Sequence, residues 1–246
     1  MDTKQPKIAM FIDCDNVSAK YTKSIFDDLS QYGKINIRRA YGDWKDSRLN
    51  SWVSVLQEYN IQPYQQFAYT QNKNASDIAI VIDVMDALYT KDIDAVAIIT
   101  SDSDFTPIVT RVLADGKSVY GYGEQKTPNA LIKACSQFIY VEKLDELDDD
   151  ENNDSTDEFK SVYQGAQYDA RKDFKLQKFL KQAVEISADD NGWADMVKVG
   201  QYISSKASFS PVNHGFKKLG ALVKYLNIFD VKYTNNNLTM LVKIKV

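Results

Sequence analysis

Phe11-Ile12-Asp13-Cys14-Asp15-Asn16 and, further along, Ile98-Ile99-Thr100-Ser101-Asp102-Ser103-Asp104-Phe105 each carry an apolar run that ends in carboxylates. If the two runs are neighbouring strands, both place their acids at the same edge of one sheet. Around them, short apolar segments alternate with longer segments of helical period. Strands are expected at residues 8–13, 35–41, 62–68, 95–100, 118–122 and 138–141, and helices at 19–31, 47–58, 76–89, 105–114 and 129–136. Short apolar strands separated by helices of this length predict an α/β domain, a mostly parallel sheet with helices on both faces. In such sheets sites form at the carboxyl ends of the strands, where these acids lie.

Outward from those stretches, charge divides the chain. Residues 1–144 hold 16 Lys and Arg against 18 Asp and Glu. Residues 145–172 hold 3 against 10, and residues 173–246 hold 11 against 6, for a net −4 over all 246 residues. The middle piece is too acidic and too poor in apolar residues to order itself, so it reads as a flexible linker between domains at 1–144 and 173–246. In the last piece Leu176, Phe179, Leu180, Ala183 and Val184 mark one amphipathic helix. Met196, Gly200 and Ile203 mark a second, and Phe216, Leu219, Gly220 and Val223 a third. Phe229, Val231 and Tyr233 then alternate with polar residues, and Leu238, Met240, Val242 and Ile244 resume the alternation after Asn235-Asn236-Asn237. Three helices followed by a hairpin is a winged-helix pattern.

Composition narrows the chemistry. Hydrophobic content of 44% and charged content of 26% are ordinary for a soluble protein. The apolar run Ile8–Ile12 is far too short for a signal peptide or a membrane span, so a cytoplasmic protein with no membrane partner is expected. Two cysteines, Cys14 and Cys135, and a single histidine, His214, cannot make a zinc set. Paired-histidine cleavage is excluded, and a Ser-His-Asp triad has only His214 to draw on. A hydrolase built from this sequence must work with carboxylates and metal.

A further acid, Asp77, follows Asn74-Ala75-Ser76 at the start of the third expected helix. Each acid has an ordinary reading by itself. Asp13 and Asp15 suit a turn, Asp77 complements a helix dipole, and Asp104 suits an N-cap with Pro107 in the first turn. Together they repel one another unless a cation sits among them. Asp83 adds to this, since it lies in the nearly all-apolar segment Ile78–Met85, where an unpaired acid is expensive. Oxygen-rich sites of this kind suit Mg2+ or Mn2+.

Phe-Ile-Asp13-Cys-Asp-Asn-Val, then Lys73-Asn-Ala-Ser-Asp77 running on to Asp83, then Thr-Ser-Asp102-Ser-Asp104-Phe, resemble the NYN family in its LabA-like branch, part of the PIN-like nucleases. The likeness covers residues 7–144 and extends to Leu131-Ile-Lys-Ala-Cys-Ser-Gln-Phe-Ile-Tyr140, with one departure at Ser136, where many relatives carry an acid. The resemblance implies phosphodiester hydrolysis, with Asp13, Asp77, Asp102 and Asp104 holding the metal. Asn16 then fixes a water or a phosphate oxygen, Asp83 and Asp15 stand behind the ligands, and Lys73 and Ser101 meet phosphate at the rim. Asp15 ranks lower because, if the strand continues, its side chain points away. Tyr41 and Trp44 are candidates for stacking on bases. Residues 173–246 are similar to the OST-HTH/LOTUS winged helix, which implies RNA as partner, with Lys198, Lys206, Lys217, Lys218 and Lys224 facing phosphate, or a protein partner instead. Two alternatives stand beside the ribonuclease. One is a non-catalytic RNA-binding adaptor. The other is a HAD-type phosphatase, whose nucleophile motif Asp13-Cys14-Asp15 resembles, although Asn16 replaces the expected glycine and no cap insertion follows.

Overall fold

The computed structural model describes residues 5–67, 75–149, 168–234 and 238–245. The chain divides into two compact units, Met1–Asp145 and Glu146–Val246, and the candidate Lys73 lies outside the described residues.

In the N-terminal unit six strands, β1 Lys7–Asp13, β2 Lys34–Gly42, β3 Gln62–Gln65, β4 Ala95–Ile99, β5 Ser118–Gly123 and β6 Gln137–Tyr140, form one sheet in the order β3-β2-β1-β4-β5-β6. Every pairing is parallel. Helices α1 Thr22–Leu29, α2 Trp52–Glu58, α3 Ala75–Thr90, α4 Thr106–Ala114, α5 Asn129–Ala134 and α6 Val141–Asp149 connect or follow the strands. Strands β1 and β4 are the central pair. Ile8–Asp13 and Ala95–Ile99 are buried without interruption, which is why both read as continuous apolar runs rather than alternations.

Alternation along β1 sorts side chains to the two layers. Ala9 and Phe11 join a core with Ile80, Val84 and Ala87 of α3 and Ile108, Val109 and Val112 of α4. On β5, Tyr122 donates its hydroxyl to Asp28 of α1 at 2.8 Å. Asp13 continues the parity of Ala9 and Phe11, so it belongs to the α3–α4 side.

Four boundaries differ from expectation. The first two helices open with separate 3-10 turns, Ala19–Tyr21 and Ser47–Leu49. In the second of these the Asp46 carboxylate accepts from Arg48 N at 2.9 Å and closes the turn before α2 can start. Strand β3 stops at Gln65 rather than at 68. The acidic stretch begins as helix: α6 runs to Asp149, anchored by the buried Val141 and Leu144 one turn apart. Charge alone concealed that stripe.

The C-terminal unit contains α7 Phe174–Ser187, β7 Ala194–Asp195, α8 Met196–Lys206, α9 Leu219–Leu226, β8 Phe229–Thr234 and β9 Thr239–Ile244. The sheet is antiparallel in the order β7-β9-β8, so the three helices and hairpin are joined by a short third strand. Its core includes Leu176, Leu180, Val199, Ile203, Leu222, Val223 and Val242. Residues ahead of 173 also belong to this fold. Ala170 enters this core, and the Tyr168 hydroxyl donates to Asp173 Oδ2 at 2.9 Å while lying 2.7 Å from His214 Nδ1. His214 is thereby a packed residue, stacked on Phe209. Among the described residues, no helix is long and apolar enough to cross a membrane.

Candidate active site at the strand-order reversal

From β1 the chain steps to β2 and β3 on one side, then returns to β4 on the other. Connections leaving the carboxyl ends of β1 and β4 therefore diverge and open a crevice, the place where open parallel sheets bind ligands. Ile12 and Ile99 are register partners, and just beyond them the Thr100 hydroxyl donates to Asp13 Oδ2 at 3.0 Å. Sheets of this order that bind dinucleotides carry glycines at the first turn to admit a pyrophosphate. Here the turn is Asp13-Cys14-Asp15-Asn16, which repels an anion and attracts a cation.

Asp13 is 1% exposed. Its Oδ2 accepts from Asn16 Nδ2 at 2.6 Å as well as from Thr100, while Oδ1 holds only a long contact of 3.3 Å from Asp15 N. Burial pushes its carboxyl up from 3.8 to about 6; the hydrogen bonds oppose that rise, and the charges of Asp77 and Asp15 add to it. Asp77, in the first turn of α3, is half-buried and also raised, by burial first and then by Asp102, Asp104 and Asp15. These acids feel one another.

Asp15 is placed differently from expectation. The strand ends at Asp13, and a turn closed by Asn16 N on Asp13 O at 3.2 Å follows it. With the strand alternation broken, Asp15 turns back far enough for Ser76 Oγ to donate to its Oδ2 at 3.3 Å. Asp102, rather than Asp104, is the cap: its Oδ1 accepts from Asp104 N at 2.9 Å at the 3-10 turn that precedes α4. Asp104 stands exposed beside it.

Thr100 was not singled out from the sequence. Besides holding Asp13, its hydroxyl accepts from Asp102 N at 3.2 Å, and its amide donates to Tyr122 O at 2.9 Å. The signal was a lone hydroxyl closing an otherwise apolar buried strand, since a buried hydroxyl requires partners. Gly123 of β5 passes so close that a Cβ there would lie 2.5 Å from Thr100 O.

The remaining candidates scatter. Asp83 is paired: Arg39 Nη1 lies 2.9 Å away, and the Tyr41 hydroxyl donates to the same oxygen. It braces α3 against β2. Tyr41 is wholly buried and stacked on Tyr64 at 5.1 Å, so it is not open to a base. The Trp44 indole N–H is shut off from solvent with no acceptor among the described residues. Ser101 is only 7% exposed and accepts from Glu124 N at 2.9 Å, a loop clasp instead of a phosphate contact. Ser136, the departure from the family pattern, accepts from Val119 N at 3.0 Å and clips β5. In the C-terminal unit Lys198 and Lys206 lie on α8, exposed, while Lys217 and Lys218 stand exposed just before α9. Lys224, on α9, sits 5.2 Å from the Tyr233 ring.

Among the described residues, no three acid, histidine or cysteine side chains are drawn together closely enough to grip a metal ion. The donor chemistry nevertheless fits Mg2+ or Mn2+. The ligands available at the crevice are all oxygen, Mg2+ keeps several waters between itself and a protein site, and a cation would relieve the repulsion that raises Asp13 and Asp77.

Among solved structures, a protein of unknown function from Vibrio parahaemolyticus is similar at 21% identity, over 57% of this chain and 96% of that one, with a TM-score of 0.48. An uncharacterized protein from Nitrosomonas europaea is 27% identical over 38% of this chain and 92% of its own, with a TM-score of 0.29. Neither likeness is close enough to carry a functional argument. No curated protein matches. The OST-HTH/LOTUS domain family matches residues 172–240, and domains of that kind bind RNA. The NYN domain family matches residues 7–145, more than half of the chain. Fold, crevice and match agree, and the chain belongs to the NYN family of PIN-like nuclease domains.

Proposed function

We propose that this protein is a metal-dependent ribonuclease that hydrolyses phosphodiester bonds in the crevice between β1 and β4, with its C-terminal unit holding RNA. One observation carries the reading: Asp13 is buried at the end of the central strand where the strand order reverses, with one carboxylate oxygen in only a long contact and the charges of Asp77 and Asp15 bearing on it. A carboxyl kept at that cost suits a site that trades its proton for a cation.

Asp13, Asp77, Asp102 and Asp104 are the residues that would hold Mg2+ or Mn2+. When bound, such an ion lowers the pKa of its water and screens the phosphate, so a chain with one histidine needs no imidazole base. The protein's own groups do the positioning. Thr100 and Asn16 both occupy Oδ2 of Asp13 and leave Oδ1, with its long contact from Asp15 N, as the less engaged oxygen. Asp102 fixes the 3-10 turn that sets Asp104 at the mouth. Asp15 adds negative charge that favours a cation there.

The test is incubation with labelled single-stranded RNA, structured RNA and single-stranded DNA in Mg2+, Mn2+ and chelator, with Asp102→Asn alongside. Asn caps a helix start about as well as Asp, so Asp102→Asn should fold normally. Its cleavage should fall by a factor on the order of 100 or more. Cleavage that survives chelator, or that Asp102→Asn leaves intact, overturns the assignment. RNA binding without cleavage in any lane makes the protein an adaptor.

A further inference from the structure

Ile78–Met85 is nearly all apolar, a composition that suits a helix covered on every side. Helix α3 is covered on one side only. Ile80, Val84, Ala87 and Leu88 are buried in the core with Ala9 and Phe11 of β1. Ile78 is 62% exposed, Ile82 55% and Tyr89 59%, whereas α2 and α4 each expose a single large apolar side chain, Val53 and Leu113. At about 3.6 residues per turn, Ile78, Ile82, Met85 and Tyr89 fall within about 60° of one another, opposite Ile80 and Val84. They form one outward stripe. Met85 is part-buried within it, the part-buried Ala75, Ala79 and Val81 flank it, and Asp86 stands at its edge. Arg111 of α4 lies 5.4 Å from the centre of the Tyr89 ring, with its guanidinium paired to Asp115.

We propose that α3 pairs through this stripe with α3 of a second copy of the chain, the two helices running antiparallel. The steps of four, three and four residues from Ile78 to Tyr89 are the spacing of a seam that packs helix into helix. An antiparallel pair closes it on itself, Ile78 against the partner's Tyr89 and Ile82 against the partner's Met85. A nucleic acid is a poor occupant, because an apolar stripe edged by an acid gives a polyanion nothing to hold.

Charge sets the direction. The amino end of α3 carries Asp77, on which Asp15, Asp102 and Asp104 bear. The carboxyl end runs into Lys91, exposed and without an ion pair among the described residues, while Asp92 beyond it is paired with Lys7. Parallel copies would set two acid clusters side by side. Antiparallel copies set each cluster toward the partner's Lys91 and oppose the helix dipoles as well. The stripe is about 17 Å long, less than an interface of about 800 Å2 a side requires, so the dimer should be reversible rather than obligate.

Sedimentation equilibrium of the full chain, in chelator and without RNA, tests the pairing apart from any cleavage. Monomer and dimer should interconvert with a dissociation constant on the order of 10 µM. Ile82→Glu would bury two carboxylates in the seam and should raise that constant by a factor on the order of 100 or more. The melting temperature of dilute protein should not change, and Ile82→Leu should dimerise like the wild type. Cysteines read the direction, since Cys14 and Cys135 are both buried. Ile78→Cys with Tyr89→Cys should oxidise to a covalent dimer, because within one chain the two positions are about 17 Å apart and a disulfide needs Cα atoms within about 7 Å. Ile78→Cys alone should not. A chain that stays monomeric at every concentration overturns the proposal, and if Ile82→Glu then lowers its melting temperature, the stripe is covered from within its own chain. A dimer that Ile82→Glu leaves intact lies on another surface, and a covalent dimer from Ile78→Cys alone makes the helices parallel. Either result overturns the pairing too.

Discussion

Asp13 makes a prediction whose sign follows from its burial. Its carboxyl titrates near 3.8 when exposed and about 6 in the fold. Below pH 4 both states carry the proton and nothing is lost. Between 4 and 6 the unfolded chain ionises first, so stability falls as pH rises, and above 6 a penalty on the order of 3 kcal/mol persists. Asp13→Asn removes that penalty, but its amide must then point a donor toward Asp15 N, at a cost of about 1 kcal/mol. In chelator the variant should therefore be more stable than wild type by about 2 kcal/mol at pH 8, and the gap should close as pH falls and reverse, by about 1 kcal/mol, near pH 4. Denaturant melts across that range read it directly. A variant less stable than wild type at pH 8 would make Asp13 a structural acceptor and nothing more. The acids at the strand ends were legible only as a group, because each has an ordinary turn or cap reading alone and it is their gathering at one sheet edge that is costly. Asp15 and Thr100 were not, because their roles depend on where the strand stops and which hydroxyl finds two partners, and neither is a matter of composition.

Helix α3 is the element that carries Asp77 to the crevice, and Asp83 is what fastens it. An acid in an apolar helix was rightly read as needing a partner, but the partner proves to be Arg39 with Tyr41 of β2 rather than anything at the acids. Tyr41 is the register neighbour of Asp13, so the clamp ties α3 to the strand beside the site. Both ionic side chains are about four-fifths covered, and Asp83→Asn leaves the Arg39 charge unmatched, at a cost of roughly 1–3 kcal/mol. The variant should melt earlier and lose kcat several-fold, while the stabilisation it gains from Mg2+ stays close to that of wild type. Normal melting with that Mg2+ response abolished would instead place Asp83 against the ion. At this scale the order of strands and helices was readable from period alone. The two 3-10 turns and the extension to Asp149 were not, since the Asp46 cap sets only the second turn and the buried stripe of Val141, Leu144 and Leu147 carries the extension.

Across the whole molecule, charge is distributed by task. The segment 1–144 is slightly negative and gathers five of its 18 acids around one crevice, whereas 173–246 carries a net +5, from 11 Lys and Arg against 6 Asp and Glu. Only the second has the electrostatic means to hold a polyanion in bulk. On the proposed reading, joining it to the first in one chain would raise the concentration of RNA there without any contact between the two being required. A chain ended after Asp149 should still cleave at saturating RNA, with kcat largely kept. Its KM should rise markedly, and its binding should depend less steeply on salt. Lys217→Glu with Lys218→Glu in the intact protein should reproduce part of this. Each lost phosphate contact to a single strand lowers the log–log salt slope by about 0.7, uniformly over sequences, because phosphates carry no base identity. Titrations of several unrelated RNAs at three or more salt concentrations give the measurement. If the shortened chain binds as tightly as the intact one at every salt, the winged helix is no RNA anchor. Its lysines then belong to a solvated face, and docking of a protein partner becomes its function.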